Sequence, residues 1–303
     1  MLSNEVEKLI KDPRTFGKFV TFGTLEKILL NRSLQWSRPG TFNDPFDFQI
    51  DYSLPIEEEV RKISRKIFEK IIITPNQELV RRNPASKGLE ALRRAMYENN
   101  LSLEESLDLF NSYLNQSINR MQELVTEASQ ELASTLARSS ILCTTKEVNS
   151  LLMWSHYAGG HSGAFLLFKP LRESDWGQRL RVNYSSSVPK IWKTENLAEA
   201  LTGKIEFSFM VGRKEVLQAI LTKSLHWQYE NEERFIKSKL TTENHVYQNF
   251  DPRELKEIIF GCRVSRDEVF KLKNSLEGRY VSTRLSLARK DTTKFGLRFS
   301  EFL

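Results

Sequence analysis

Apolar positions keep strand spacing near both ends of the chain and helical spacing through its middle. An amphipathic stretch at 3–11 predicts a short helix, stopped by Asp12-Pro13. Lys18-Phe19-Val20-Thr21-Phe22 alternates in strand fashion and Gly23-Thr24 punctuates it. Leu25, Ile28 and Leu29 then share a helical face, and Leu34-Gln35-Trp36-Ser37 reads as a second short strand. Pro39-Gly40 turns the chain into a loop, Thr41 to Asp47, rich in aromatic and acidic groups.

The period then changes. Ile56, Val60, Ile63, Ile67 and Ile71 recur every three or four residues, as on one face of a helix. Ser102-Leu103-Glu104-Glu105 forms a capping box, because Glu105 can reach back to the backbone that the serine caps. Behind it Leu107, Phe110, Leu114, Ile118, Met121, Val125, Leu132 and Leu136 continue a single stripe. At 1.5 Å per residue such a helix runs for roughly 54 Å. Residues 55–138 are therefore expected to be a helical insertion, a bundle lying beside the sheet, within one α+β domain spanning 1–303.

After Arg138 strand signals return at 140–144, 164–168, 181–184 (an edge strand), 232–237 and 257–260. Helices are expected at 150–157, 195–203, 207–223 and 265–276, with a final hairpin over 279–299. Composition adds little beyond an ordinary globular protein: 40% hydrophobic and 28% charged in 303 residues. Cys143 and Cys262 each sit in an apolar run and read as small buried hydrophobes, since two isolated thiols make neither a disulfide framework nor a metal motif. The N-terminus lacks the apolar core of a signal peptide, and no run of 18 apolar residues exists to span a membrane. The expected compartment is the cytoplasm, with no membrane partner.

Charge placement is more informative than the net value of +6. Between Arg263 and Arg298 ten Lys/Arg face four Asp/Glu, which accounts for the whole excess. A basic 263–298 region suits a nucleic acid, although a solvated surface gives the same count.

Common catalytic signatures are absent: no phosphate-binding loop, dinucleotide fingerprint, zinc-helix motif or serine elbow occurs. Three clusters remain. Asn43-Asp44-Pro45-Phe46-Asp47 presents an amide and two carboxylates on a stiffened loop, or an Asx-turn that satisfies its own backbone. Met153 to Gly163 brings Trp154, His156, Tyr157 and His161 beside glycines, able to hold a planar ring or merely to pack under the core. In the third, Glu230, Glu232 and Arg234 fall two apart and would line one face of a strand, as an active-site edge or a surface ion-pair ladder.

Taken in order, the NDPFD loop, MWSHYA-x-x-H-x-G, WQYE-x-E-x-R and IIFGCR at 258–263 resemble the bacterial family called domain of unknown function 2971. The resemblance covers most of the chain outside the helical insertion. It departs at Phe19-Val20-Thr21-Phe22, where the family tends to have a Tyr-Lys-Tyr-Arg-like strand. The layout also resembles an ADP-ribosyltransferase fold, a split mixed sheet with Glu-x-Glu opening a late strand. That likeness implies an NAD-dependent ADP-ribosyltransferase-like effector of toxin or antiviral-defence type. Its acceptor would be a macromolecule, with RNA one candidate, and an antitoxin a possible partner protein.

The resemblance makes Glu232, Glu230 and Tyr157 the catalytic set, with Glu232 at a cleft edge needing no buried ionic partner. Asn43, Asp44, Trp154, His156, His161 and Arg234 would bind NAD, and no metal is required. Two other readings stay open. One is a metal-dependent nuclease holding magnesium on Asp44, Asp47, Glu230 and Glu232. The other is a non-catalytic nucleic-acid-binding module.

Overall fold

A computed structural model describes residues 4–74, 79–80, 82–98, 100–206, 211, 213–237, 245–276 and 278–302. In chain order it runs α1 (Asn4–Lys11), β1 (Phe16–Val20), α2 (Phe22–Asn31), β2 (Ser33–Ser37), α3 (Glu57–Ile73), α4 (Pro84–Glu98) and α5 (Leu103–Ala137). There follow β3 (Ser140–Thr144), α6 (Leu151–Tyr157), β4 (Ala164–Phe168), β5 (Arg179–Arg181), β6 (Asn183–Ser185), α7 (Thr194–Leu201), α8 (Arg213–Ile220) and β7 (Thr222–Ser224). A 3₁₀ segment (Leu225–Glu230) then leads to β8 (Glu233–Lys237), β9 (His245–Asn249), β10 (Leu255–Phe260), α9 (Arg266–Ser275), β11 (Arg284–Lys290) and β12 (Leu297–Glu301). The protein is mixed α+β, with several sheets. Among the described residues no helix is long and apolar enough to cross a membrane.

The chain forms two compact units. The first, Met1–Asp47 with Ala137–Ser186 and Lys223–Leu303, holds two five-stranded sheets, ordered β1-β4-β10-β11-β12 and β5-β8-β3-β2-β9. Strand β4 explains much of this packing. All five residues of Ala164-Phe165-Leu166-Leu167-Phe168 are buried, because both faces of the strand are covered. Leu166 and Phe168 join Leu34, Trp36, Leu142 and Phe235 of the other sheet in one core. Phe165 and Leu167 point the other way, onto Met153 and Trp154 of α6. Phe16 ties the first core together, with ring centroids 5.2 Å from Phe168 and 5.1 Å from both Trp176 and Phe235. Contacts of this kind add about 0.5–1.5 kcal/mol each beyond area burial.

The second unit, Phe48–Leu136 with Ser187–Thr222, contains α3, α4, most of α5, α7 and α8. The elements described between Ile56 and Arg138 are all helices, and residues 187–222 belong with them. Its core runs from Val60 through Phe68, Phe110, Leu114 and Ile118 to Leu197 and Leu201. Phe68 and Phe110 stack at 4.0 Å. The stripe read from the sequence is thus packing surface.

Several boundaries differ from the pattern reading. Strand β1 starts earlier and ends at Val20, because Thr21 caps α2 through its side-chain oxygen. The expected edge strand at 181–184 is two short strands, β5 and β6, joined by Val182 whose N–H donates to Glu232 O at 3.0 Å. Strand β9 was not anticipated; its His245-Val246-Tyr247-Gln248-Asn249 carries little apolar signal, and pairing with β2 defines it. Of the helix expected over 207–223, residues 207–210 and 212 lie outside the described set and α8 supplies 213–220.

Gly163 joins α6 to β4 at a point with no room for a side chain. A Cβ there would lie 2.1 Å from Val20 O and 3.0 Å from Ala158 O, both backbone atoms. Gly163→Ala is expected to lower the unfolding free energy by about 3 kcal/mol in urea titrations. Gly23→Ala, where nothing lies within 4 Å, should be neutral or stabilising. Equal effects at the two positions would refute this account of the junction.

Candidate functional site

A cavity of about 390 Å³ lies within the first unit, lined by strands β1, β2 and β3, the 41–47 loop, the end of α6, and Lys223, Glu230 and Glu232. That volume falls within the range usual for small-ligand sites. Helix α6 starts at Ser150, whose Oγ accepts from Met153 N, and after Tyr157 the chain reverses through three left-handed residues. These are Gly159 (φ 56°), Gly160 (φ 62°) and His161 (φ 71°), and two glycines make that conformation accessible. The 3₁₀ segment ends similarly at left-handed Asn231, which separates Glu230 from Glu232. Thr145 Oγ1 donates to Glu230 O at 2.6 Å, and Glu232 N donates to Tyr184 Oη at 2.8 Å, fixing the backbone on both sides of that kink.

The side chains here form one network of charge. Lys223 Nζ donates to Glu230 Oε2 at 2.6 Å and Glu232 Oε2 at 2.9 Å, and stands 3.6 Å from Asp47 Oδ2. Arg234, wholly buried, donates from Nε to Glu232 Oε1 at 2.7 Å and from Nη2 to Asp47 Oδ2 at 2.7 Å. Two cations therefore serve three carboxylates. At the cavity, Tyr157 Oη donates to Glu230 Oε1 at 2.5 Å, Asn43 hydrogen-bonds Tyr157, and His156 Nδ1 meets Tyr229 Oη at 2.8 Å.

Burial and these partners pull the two glutamates apart. Burial raises the Glu230 carboxyl above the usual range, and Lys223 offsets only part of that. Burial would raise Glu232 too, but the charge and hydrogen bond of Arg234, with Lys223, outweigh it and hold that group at about 2. Asp47 is raised by burial despite Arg234 and Lys223. Burial alone would lower Lys223, yet Glu232 and Glu230 lift it well above an ordinary lysine. Tyr157 is raised by burial and by the neighbouring Glu230 charge. Two adjacent carboxyls with opposed shifts are what acid–base division of labour requires.

Glu230, Glu232, Tyr157, Asn43 and His156 line this cavity together; Arg234 backs it. Three other expected residues do not line it. Asp44 turns its Oδ1 to Phe46 N at 3.0 Å, the self-satisfied Asx-turn. Trp154 is fully buried and donates to Val148 O at 2.7 Å. His161 stacks on Trp154, with Nε2 3.1 Å from Ser155 Oγ.

Glu232 does not stand at an open edge free of ionic partners: it is 4% exposed and held by two cations. Glu230 lies in the 3₁₀ segment rather than on a strand; Lys223, not strand alternation, joins it to Glu232. Of the four carboxylates considered for magnesium, Asp47, Glu230 and Glu232 converge and Asp44 does not. The position from which an ion would bridge those three is taken by the Lys223 ammonium. Among the described residues no group of three His, Cys, Asp or Glu is arranged to hold a metal ion. Both cysteines are half-buried rather than buried; Cys143 lines the cavity, its thiol raised by burial and by Glu232.

Lys223 was missed because a single lysine after an apolar helix end carries no pattern. In the basic C-terminal region, Arg284 pairs with Glu257 at 2.9 Å and Arg298 with Asp291 at 2.8 Å, while Arg263, Arg289, Lys290 and Lys294 stay exposed. Comparison of the chain with protein-family models, with curated proteins and with solved structures finds no match.

Glu232 also gives a pH signature. A carboxyl lowered from 4.5 to about 2 stabilises the fold above its ordinary value and loses that contribution as pH falls toward about 2. Asp47 and Glu230, being raised, act in the opposite sense. Glu232→Gln should therefore lower stability at neutral pH and flatten the loss of unfolding free energy between about pH 4.5 and about pH 2, followed by urea denaturation. An acid limb of unchanged slope would assign the effect to another group.

Proposed function

We propose that this cavity is the active site of an NAD-dependent ADP-ribosyltransferase-like effector of toxin or defence type. The observation that carries the reading is the meeting of Tyr157 and two oppositely shifted glutamates on one cavity. The two-sheet frame and the order of the three polar motifs along the chain support it.

The chemistry follows from these groups. The nicotinamide ring of NAD is cationic, and an aromatic face such as Tyr157 attracts it by roughly 0.5–2 kcal/mol. Cleavage of the bond from ribose C1′ to nicotinamide nitrogen sends its electron pair to the ring and leaves an oxocarbenium-like centre. Glu232, ionised over the whole physiological range, hydrogen-bonds a ribose hydroxyl and stabilises that charge. An acceptor hydroxyl then bonds to C1′, and its proton passes to Glu230, whose raised carboxyl accepts it more readily than Glu232 would. Asn43 and His156 position the polar groups of the ligand. RNA is the acceptor that the exposed basic residues of 263–298 favour, and an antitoxin would be the cytoplasmic partner. The magnesium alternative loses Asp44 from its ligand set and meets Lys223 in its place.

Purified protein incubated with labelled NAD and total cell extract should transfer label to a nuclease-sensitive fraction. Glu232→Gln should cut the rate a hundredfold or more, on the order of 3 kcal/mol. Tyr157→Ala should weaken NAD binding. Since Glu232→Gln also disturbs a buried ion network, Glu230→Gln and Tyr157→Phe are assayed beside it, with folding checked by circular dichroism. A wild-type protein that neither binds nor consumes NAD with RNA and protein acceptors present would end the transferase reading.

Nucleic-acid binding through 263–298 should be salt-dependent, because each neutralised phosphate releases counterions. RNA affinity is expected to fall roughly tenfold or more between about 50 and about 200 mM salt. Retention that ignores salt over this range would remove the basic region from the proposal.

A further inference from the structure

Two cations share three carboxylates at the cavity wall, and a third cation stands outside those direct contacts. Asp47, Glu230 and Glu232 share Lys223 and Arg234 through direct contacts. Lys18 lines the same cavity from β1 and makes no ion pair among the described residues. Its position follows from the strand: Phe16 and Val20, two residues either side, join the core between the sheets, so Lys18 faces the same way. Its one hydrogen bond goes to a neutral acceptor, Cys143 O, at 3.2 Å, leaving two of three ammonium hydrogens for another partner.

We propose that Lys18 is the anion-binding residue of the cavity, seating a phosphate or carboxylate of the ligand between β1 and β3. The proposal deepens the transferase reading and rests on it for the location of the ligand, not for its identity as NAD. A half-buried lysine whose one hydrogen bond among the described residues goes to a carbonyl is a position that an anionic ligand completes. The contrast with Lys223 supports this. Burial lowers both amines, but carboxylates in contact reverse the shift at Lys223, whereas Lys18 stays below an ordinary lysine. Among the described residues no carboxylate comes within ion-pair distance of Lys18, and the charge of Glu232, acting from farther away, is outweighed by burial.

The test uses ligand pairs that differ only in the anion: AMP against adenosine, and nicotinate against nicotinamide, titrated calorimetrically into the full chain. At least one anionic member should bind tenfold or more tighter than its neutral counterpart, and which pair discriminates identifies phosphate or carboxylate. Lys18→Met, which keeps the stem, should abolish that preference without altering the neutral member. Lys18→Arg should restore most of it. Should Lys18→Met fail to fold by circular dichroism, Lys18→Gln carries the same expectation. Discrimination through Lys18 in a protein that does not consume NAD would support this inference while removing the transferase reading. Preference for the anion surviving in Lys18→Met, or no preference in the wild type, would overturn it.

Discussion

The site depends on how Arg234 is buried. A guanidinium removed from water costs several kcal/mol, and the fold offsets that by bringing Glu232 and Asp47 to it at 2.7 Å. Asp47 comes from the 41–47 loop, Glu232 from the approach to β8, and Arg234 from β8 itself. One buried guanidinium therefore sets where the loop ends and how the strand begins. Lys223 extends the network to Glu230, and Glu230 in turn orients Tyr157 through a 2.5 Å hydrogen bond. Removing either cation would leave three buried carboxylates sharing a single positive charge, which is costlier than never having buried them.

The same network gives two glutamates, two residues apart, unlike chemistry. Asn231 in the left-handed region kinks the backbone between them, so they reach Lys223 with different neighbours. One meets a phenol and an ammonium, the other an ammonium and a guanidinium. Division of roles in the proposed reaction thus comes from backbone geometry as much as from residue type.

Periodic features were readable from the chain alone. The long stripe in α5, the uniformly apolar β4 and the Ser102–Glu105 capping box all exist because local burial or local hydrogen bonding dictates them. Tyr157, Glu230, Glu232, Asn43 and His156 were legible as a set because each sits in a cluster dense in polar and aromatic groups. What escaped was decided across long separations. Strand β9 exists through pairing with β2, and Lys223 and Lys18 matter only through partners or gaps that folding creates. Asp44 and Asp47 show the limit most directly. They stand three residues apart in one loop, yet one caps its own turn and the other meets Arg234.

That last pair is 187 residues apart in the chain, a separation with consequences during synthesis. At about 5–20 residues per second, roughly 10–40 s pass between translation of Asp47 and that of Arg234. Strand β2 waits as long for β9 and, until β3 emerges, has neither neighbour in its sheet. The nascent first unit therefore carries an open strand edge and an unneutralised carboxylate until its C-terminal third emerges from the ribosome. Ribosome-bound chains truncated before Arg234 would be where chaperones engage this protein.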